Sequence, residues 1–294
     1  MATSTSTIAS VISRRPLLLP AHLSTKSRYS LCLIFINRKL SFNRLHQSPT
    51  ISCDFSCFEV RDVSYRPPGT QLNILNEVSF SLPEKSFGLI FGQSGSGKTT
   101  LLQLLAGLSE PTSGSICIQR YRNDGNPYQS SEPLSPERVG IVFQFPERYF
   151  VADTIIDEVI FGWPRKKGSL QLKEYLALNL QKAVTWVGLN GIPFDKDPQS
   201  LSGGYKRRLA LAIQLVQVPD LLILDEPLAG LDWKARADVV KLLKQLKKEL
   251  TLLVVSHDLK ILGPSSNRCP VSIRNYNITG ATCFIPISFF SLSI

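Results

Sequence analysis

The chain has 294 residues, of which 43% are hydrophobic and 19% charged, with 33 Lys and Arg against 23 Asp and Glu. That is enough apolar material for the core of one large domain or two modest ones, and it excludes a wholly disordered, collagen-like or disulfide-scaffold class. The formal charge of +10 would by itself point to a nucleic acid or an anionic membrane, but its distribution along the chain does not.

Residues 1–53 contain no acid, seven basic residues (Arg14, Arg15, Lys26, Arg28, Arg38, Lys39 and Arg44) and fifteen Ser or Thr. The remaining 241 residues carry 26 basic groups against 23 acids, which is close to balance. A Ser-rich, Arg-containing, acid-free leader has the composition of an organelle transit peptide, with a disordered basic tail as the alternative. The uncharged start MATSTSTIASVIS favours a plastid over a mitochondrial address, and Ile51-Ser52-Cys53 resembles a stromal processing site. No run reaches the roughly 18 apolar residues that a bilayer span needs. The six cysteines (32, 53, 57, 117, 269 and 283) include no CxxC pair and no zinc spacing, so unpaired thiols and no bound metal at cysteine are expected.

Past the leader, Phe87 to Phe91 is a short apolar run of the kind that fills a buried strand. It feeds into Gly92-Gln93-Ser94-Gly95-Ser96-Gly97-Lys98-Thr99, the pattern GxxxxGK[ST]. Glycines there let the backbone curl so that successive N–H groups point at one anion. Lys98 can reach the β/γ-phosphates, and the Thr99 hydroxyl can ligate magnesium. Thr99 to Leu105, which includes Thr100, reads as a helix whose positive end faces the phosphates, stopped by Gly107.

Further along, Val139 to Phe143 reads as a strand ending at Gln144. Thr154 to Pro198 fits a helical insert containing an amphipathic helix over Leu172 to Leu189. Leu201-Ser202-Gly203-Gly204-Tyr205 is a Ser-capped glycine pair opening a helix, with Lys206 to Arg208 read as its solvated face rather than a nucleic-acid patch. Leu221 to Leu224 reads as a buried strand with Asp225 and Glu226 at its carboxyl end, where ligands bind in parallel α/β sheets. Asp225 suits a magnesium site and Glu226 a general base that orients the attacking water. A last strand, Thr251 to Val255, ends in Ser256-His257-Asp258.

With Ala229 to Asp232 added, these motifs stand in the order of the ATP-binding-cassette (ABC) family, and residues 58–258 resemble it. Residues 139–162 look most like the ATPases of energy-coupling-factor and cobalt-type importers, and the whole chain is similar to the plant I-family ATPases of plastids. The resemblance implies a P-loop α/β fold: a parallel core sheet with flanking helices, an N-terminal antiparallel β-subdomain and a helical signature subdomain at about 150–215. It implies domains at 54–260 (the ATPase) and 261–294 (an atypical tail), with ATP and Mg²⁺ as cofactors. It further implies a head-to-tail dimer with a second ATPase subunit, closing over two MgATP, in which Ser202, Gly203 and Gly204 of one subunit complete the other's site. Asp232 would link the sites, His257 would hold the γ-phosphate and water, and Gln144 would ligate the metal and sense the γ-phosphate. The chain would then be peripheral to a plastid membrane, bound to a transmembrane transporter subunit rather than to nucleic acid. A transition metal ion or a vitamin-like molecule is the cargo by analogy.

The chain departs from the family pattern in three places. The slot for an adenine-stacking aromatic in Val63 to Pro68 is Pro67, with Tyr65 two residues earlier; Tyr205 stands where Gln is usual. After Lys260 the sequence has no acid, three prolines and no helical period, so the closing strands are expected to be missing and the form less stable or inactive. The other functional classes left open are a soluble ABC ATPase of plastid assembly or remodelling and an inactive splice-like form.

Overall fold

The computed structural model describes residues 55–92, 94–122, 124–161, 170–256 and 282–287; the expected transit peptide lies outside them, as does the tail apart from 282–287. The described residues fall into two compact units, Phe145–Val218 and the segments before and after it.

The larger unit holds two sheets. One is antiparallel, in the order β2 (Leu75–Pro83), β1 (Phe55–Tyr65), β4 (Ser113–Tyr121), β5 (Glu132–Pro133). Its β2 alternates buried and open positions, as a sheet with one covered face requires. The other sheet runs in the order β6 (Val139–Val142), β7 (Leu221–Asp225), β8 (Thr251–Ser256), β3 (Phe87–Gly92), β9 (Thr282–Ile287). Its first four strands are parallel neighbours. They are buried almost residue for residue, which is why their sequences read as unbroken apolar runs rather than alternations.

Two helices belong to the same unit. Helix α1 (Lys98–Leu105) buries Leu101, Leu102, Leu104 and Leu105. It ends in a paired turn in which the Leu108 N–H bonds the Gln103 carbonyl and the Gly107 N–H bonds that of Leu104. Gly107 adopts φ +67, and a Cβ there would lie 2.3 Å from Pro136 Cγ, so the expected stop is also a close approach. In the later helix Trp233–Leu246, the buried residues Val239, Leu242, Leu243 and Leu246 recur at the spacing of one helical face.

The unit Phe145–Val218 is helical, with α2 (Ile155–Val159), α3 (Leu170–Val187) and α4 (Gly203–Leu215); Trp233–Leu246 is then α5. The helix expected at 172–189 is α3, and Gly188 at φ +69 closes it. None of the described helices is long and apolar enough to cross a membrane. Lys206 to Arg208 is not the solvated face expected. Arg207 is only 5% exposed, and Arg208 Nη1 donates to the carbonyl of Val187 at 3.1 Å, with its guanidinium over the Tyr205 ring. A cation at the carbonyl end of α3 meets the helix dipole, and that uses the charge inside the fold.

The tail also departs from expectation. Residues 282–287 form β9, antiparallel to β3 from Phe87↔Ile287 to Gly92↔Thr282. Pro286, paired with Gly88, is tolerated because an edge strand need not donate on its outer side. Removing residues 282–294 should therefore leave the edge of β3 unpaired and lower the melting midpoint by on the order of 3 °C or more. An unchanged midpoint would show that β9 contributes nothing.

In α2, Glu158 is buried, and its Oε2 accepts the N–H groups of Val151 and Ala152, both at 2.8 Å. Burial outweighs those bonds and pushes the carboxyl up to about 7. The folded chain thus holds this proton more tightly than the unfolded one, whose Glu titrates near ~4.3. Stability from this group falls as pH rises from about 4.3 to about 7. Glu158→Gln should flatten the pH dependence of the urea midpoint across that window, and an unaltered slope would contradict the assignment.

Candidate functional site

The site is built on one edge of the parallel sheet. Because β6, β7, β8 and β3 run in the same direction, their carboxyl ends lie together. That edge carries, in spatial order, Gln144 two residues past β6, Asp225 and Glu226 at the end of β7, Ser256 closing β8, and the glycine loop following β3. Ligands of open α/β sheets sit at such carboxyl edges.

The loop from Gly92 to Gly97 turns the chain from β3 into α1. Gly95 and Gly97 adopt φ +81 and +85, a region that side-chain-bearing residues rarely enter. At Gly95 the space where a Cβ would stand is open to 4 Å, so a ligand can meet the bare backbone there. Gly97 is the N-cap of α1 and offers no side-chain acceptor, and the first turn holds no acid. The positive end of the helix is left for a ligand. Lys98 Nζ lies back along the loop, donating to the Gly92 carbonyl at 2.7 Å. Thr99 is exposed and Thr100 half-buried in the first turn of α1. Ser94 is exposed, and Gln93 lies outside the described residues.

Ser96 is the telling residue. Its Oγ is buried and has no hydrogen-bond partner among the described residues. A buried hydroxyl without a partner costs free energy. A phosphate oxygen seated in the loop would satisfy it, so the residues present fit a phosphate-bearing ligand. The hydroxyl of Thr99, the carboxylate of Asp225 and the amide oxygen of Gln144 are hard oxygen donors of the kind Mg²⁺ takes.

Asp225 is buried, and its main chain pairs with Val255. Glu226 leaves the strand at φ +47, a left-handed conformation that costs a non-glycine residue about 1–3 kcal/mol. It is held there by its own N–H donating to the Val255 carbonyl at 2.9 Å and by the Ala229 N–H donating to its carbonyl at 3.0 Å. The Ser256 hydroxyl donates to Glu226 Oε2 at 3.2 Å. Ser256 was not among the sequence candidates, although its place at a strand end just before His257 was a usable signal. His257 itself lies outside the described residues.

Two other candidates have local roles. Asp232 is the N-cap of α5, its Oδ1 accepting the Ala235 N–H at 2.8 Å. Tyr65 is the half-buried last residue of β1, in register with Leu75. In the helical unit, Ser202 occupies the N-cap of α4 in extended conformation, and its exposed side chain makes no capping bond. Gly203 and Gly204 begin that helix.

A family model described as "ABC transporter" matches residues 75–229. The chain is 77% identical over 223 residues to "ABC transporter I family member 11, chloroplastic" of Arabidopsis thaliana, covering 76% of this chain and 80% of that one. It is 40% identical over 200 residues to "Energy-coupling factor transporter ATP-binding protein EcfA2" of Clostridium acetobutylicum, covering 66% and 68%. Among solved structures it is similar to cbiO1 of Clostridium perfringens, described as part of the ABC transporter complex cbiONQ. That match has a TM-score of 0.57 and 28% identity over 70% of this chain and 80% of the other.

The orphaned hydroxyl gives a direct test. Ser96→Ala should leave the ligand-free melting midpoint unchanged or raised, because an unsatisfied buried group is removed. It should also shrink the midpoint rise that pyrophosphate produces; a drop in the ligand-free midpoint would mean the hydroxyl is already satisfied.

Proposed function

The chain belongs to the ABC transporter family, and from that premise we propose that it is the ATP-binding and ATP-hydrolysing subunit of a transporter at a plastid membrane. A separate chain would provide the membrane-spanning part. The observation that carries this reading is the common carboxyl edge, where the glycine loop, Asp225, Glu226, Ser256 and Gln144 converge.

In this reading the N–H groups of Gly92 to Thr100 cradle the α- and β-phosphates of ATP, and Lys98 turns from the Gly92 carbonyl toward the β/γ-phosphates. Thr99, Gln144 and Asp225 would hold a magnesium ion, which neutralises charge on the phosphates. Glu226 accepts a hydrogen bond from the attacking water and takes its proton as the oxygen closes on the γ-phosphorus, releasing ADP and inorganic phosphate. Ser256 orients that carboxylate by donating to Oε2. His257 hydrogen-bonds the γ-phosphate and the water, since neutral imidazole donates once and accepts once.

The exposed Ser202, with Gly203 and Gly204 at the start of α4, supplies a hydroxyl and N–H donors suited to the γ-phosphate of a second subunit. Asp232, already capping α5, fixes the segment that would pass between the two sites. The transit-peptide composition and the chloroplastic relative support the plastid address. A transition metal ion is the cargo we favour, by analogy with the cobalt-type importers.

Glu226→Gln should lower ATP hydrolysis by about a hundredfold or more while leaving ATP binding intact, because only proton acceptance is removed. Unchanged hydrolysis would remove Glu226 from its role. Used as bait on solubilised plastid membranes with ATP present, the same variant should recover a polytopic membrane protein. Recovery of soluble partners alone would favour the assembly or remodelling ATPase over a transporter.

A further inference from the structure

The positive charge of the chain has a second location besides the leader. Residues 233–250, helix α5 with the turn after it, hold six basic residues against two acids. The rest of 54–294 holds twenty against twenty-one. The whole positive excess of residues 54–294 therefore sits on this one segment. The nucleotide site built above uses none of those six cations.

The segment has two faces. Val239, Leu242, Leu243 and Leu246 are buried, so α5 is anchored and its outer face is held in one orientation. Lys234, Lys241 and Lys248 are exposed and recur every seven residues. Seven residues are close to two helical turns, which sets the three in a row about 10 Å apart. The helical path persists to the last of them: the Lys247 N–H donates to the Leu243 carbonyl at 2.9 Å and the Lys248 N–H to that of Gln245 at 3.2 Å. None of the three side chains makes an ion pair or hydrogen bond among the described residues.

Helix electrostatics explains only part of this row. A cation in the last turn, such as Lys244, meets the negative end of the dipole, but Lys234 lies in the first turn, where the dipole opposes it. A row of lysines is also a poor seat for a folded protein, because such interfaces centre on buried aromatic residues and arginine and are depleted in lysine. Trp233, 82% exposed, follows Asp232 in the segment assigned above to the second subunit and is not counted with the row. A diffuse anionic plane asks for no fixed geometry and attracts flexible, hydrated ammonium groups one by one. None of the described helices can cross a bilayer, so lipid would be met by these elements at its surface.

We propose that the outer face of α5, through Lys234, Lys241 and Lys248, docks on an anionic lipid surface. The inference rests on the membrane-peripheral part of the reading above and adds a direct lipid contact to the contact with a transporter subunit. Each lysine that reaches the surface strengthens partitioning by about fivefold. Three alone give reversible, salt-sensitive binding, which supplements a protein partner rather than replacing it.

The test is co-sedimentation of the full chain with phosphatidylcholine vesicles containing about one-third phosphatidylglycerol, without ATP. In every sample the seven basic residues of 1–53 are replaced by Gln, so that the leader cannot bind lipid itself. Lys234→Gln with Lys241→Gln and Lys248→Gln should weaken binding about a hundredfold and leave ATP hydrolysis unchanged. Lys234→Arg with Lys241→Arg and Lys248→Arg should keep the binding. Lys85→Gln with Lys182→Gln and Lys196→Gln, at three exposed lysines elsewhere, lowers the net charge equally and should change binding less than about twofold. The inference is overturned if the chain ignores the anionic vesicles, if this last variant loses as much binding as the first, or if duplex DNA is bound more tightly at equal phosphate concentration. The vesicles hold neither transporter nor nucleotide, so lipid binding can fail while ATP hydrolysis and recovery of a transporter subunit stand.

Discussion

The ladder between β7 and β8 is the interaction on which the site depends. At its carboxyl end the Glu226 N–H still pairs with Val255, although the residue has already turned to a left-handed conformation, and Ser256 reaches across to the carboxylate. Strain of about 1–3 kcal/mol at one residue persists only where the surroundings over-determine it. Here a fully buried parallel sheet does so. Every residue of β7 and β8 is buried, and the strand beyond β8 is the one that leads into the glycine loop. Inserting β8 between β7 and β3 leaves one strand's width between the carboxylates and the phosphate cradle, with Ser256 at the end of the strand that fills it.

The same economy recurs elsewhere. Gly97 serves the helix start and the approach of Ile74; Asp232 closes the segment after β7 and caps α5; Arg208 reaches the end of α3 and stacks on Tyr205. Gly97 and Asp232 hold local structure where a chemical role is also proposed, so a local contact is no argument against such a role.

Much of this was legible in the sequence, for identifiable reasons. The parallel strands are apolar runs because both faces are covered, and the glycine loop is written in residue types that only a curled backbone demands. The helix expected at 172–189 was displaced by two residues because Gly188, not Leu189, sets its end. What was not legible depends on tertiary context. Arg207 looks like any surface cation until α4 is packed, and β9 carries a proline that only an edge position can accept. Ile74 gave no signal because a lone apolar residue in a polar loop has no periodicity; only the fold brings it against Gly97, where a Cβ would stand 3.2 Å from its Cγ2. Roles assigned to Gln93 and His257 rest on the motif alone, since both lie outside the described residues.

The account stands on one claim, that the carboxyl edge of the parallel sheet is a site of ATP hydrolysis organised around the glycine loop. Steady-state release of inorganic phosphate from MgATP by the purified chain, set beside Lys98→Ala, tests it most directly. The account predicts release that saturates with ATP and is abolished by the substitution; release that continues undiminished in Lys98→Ala would contradict it.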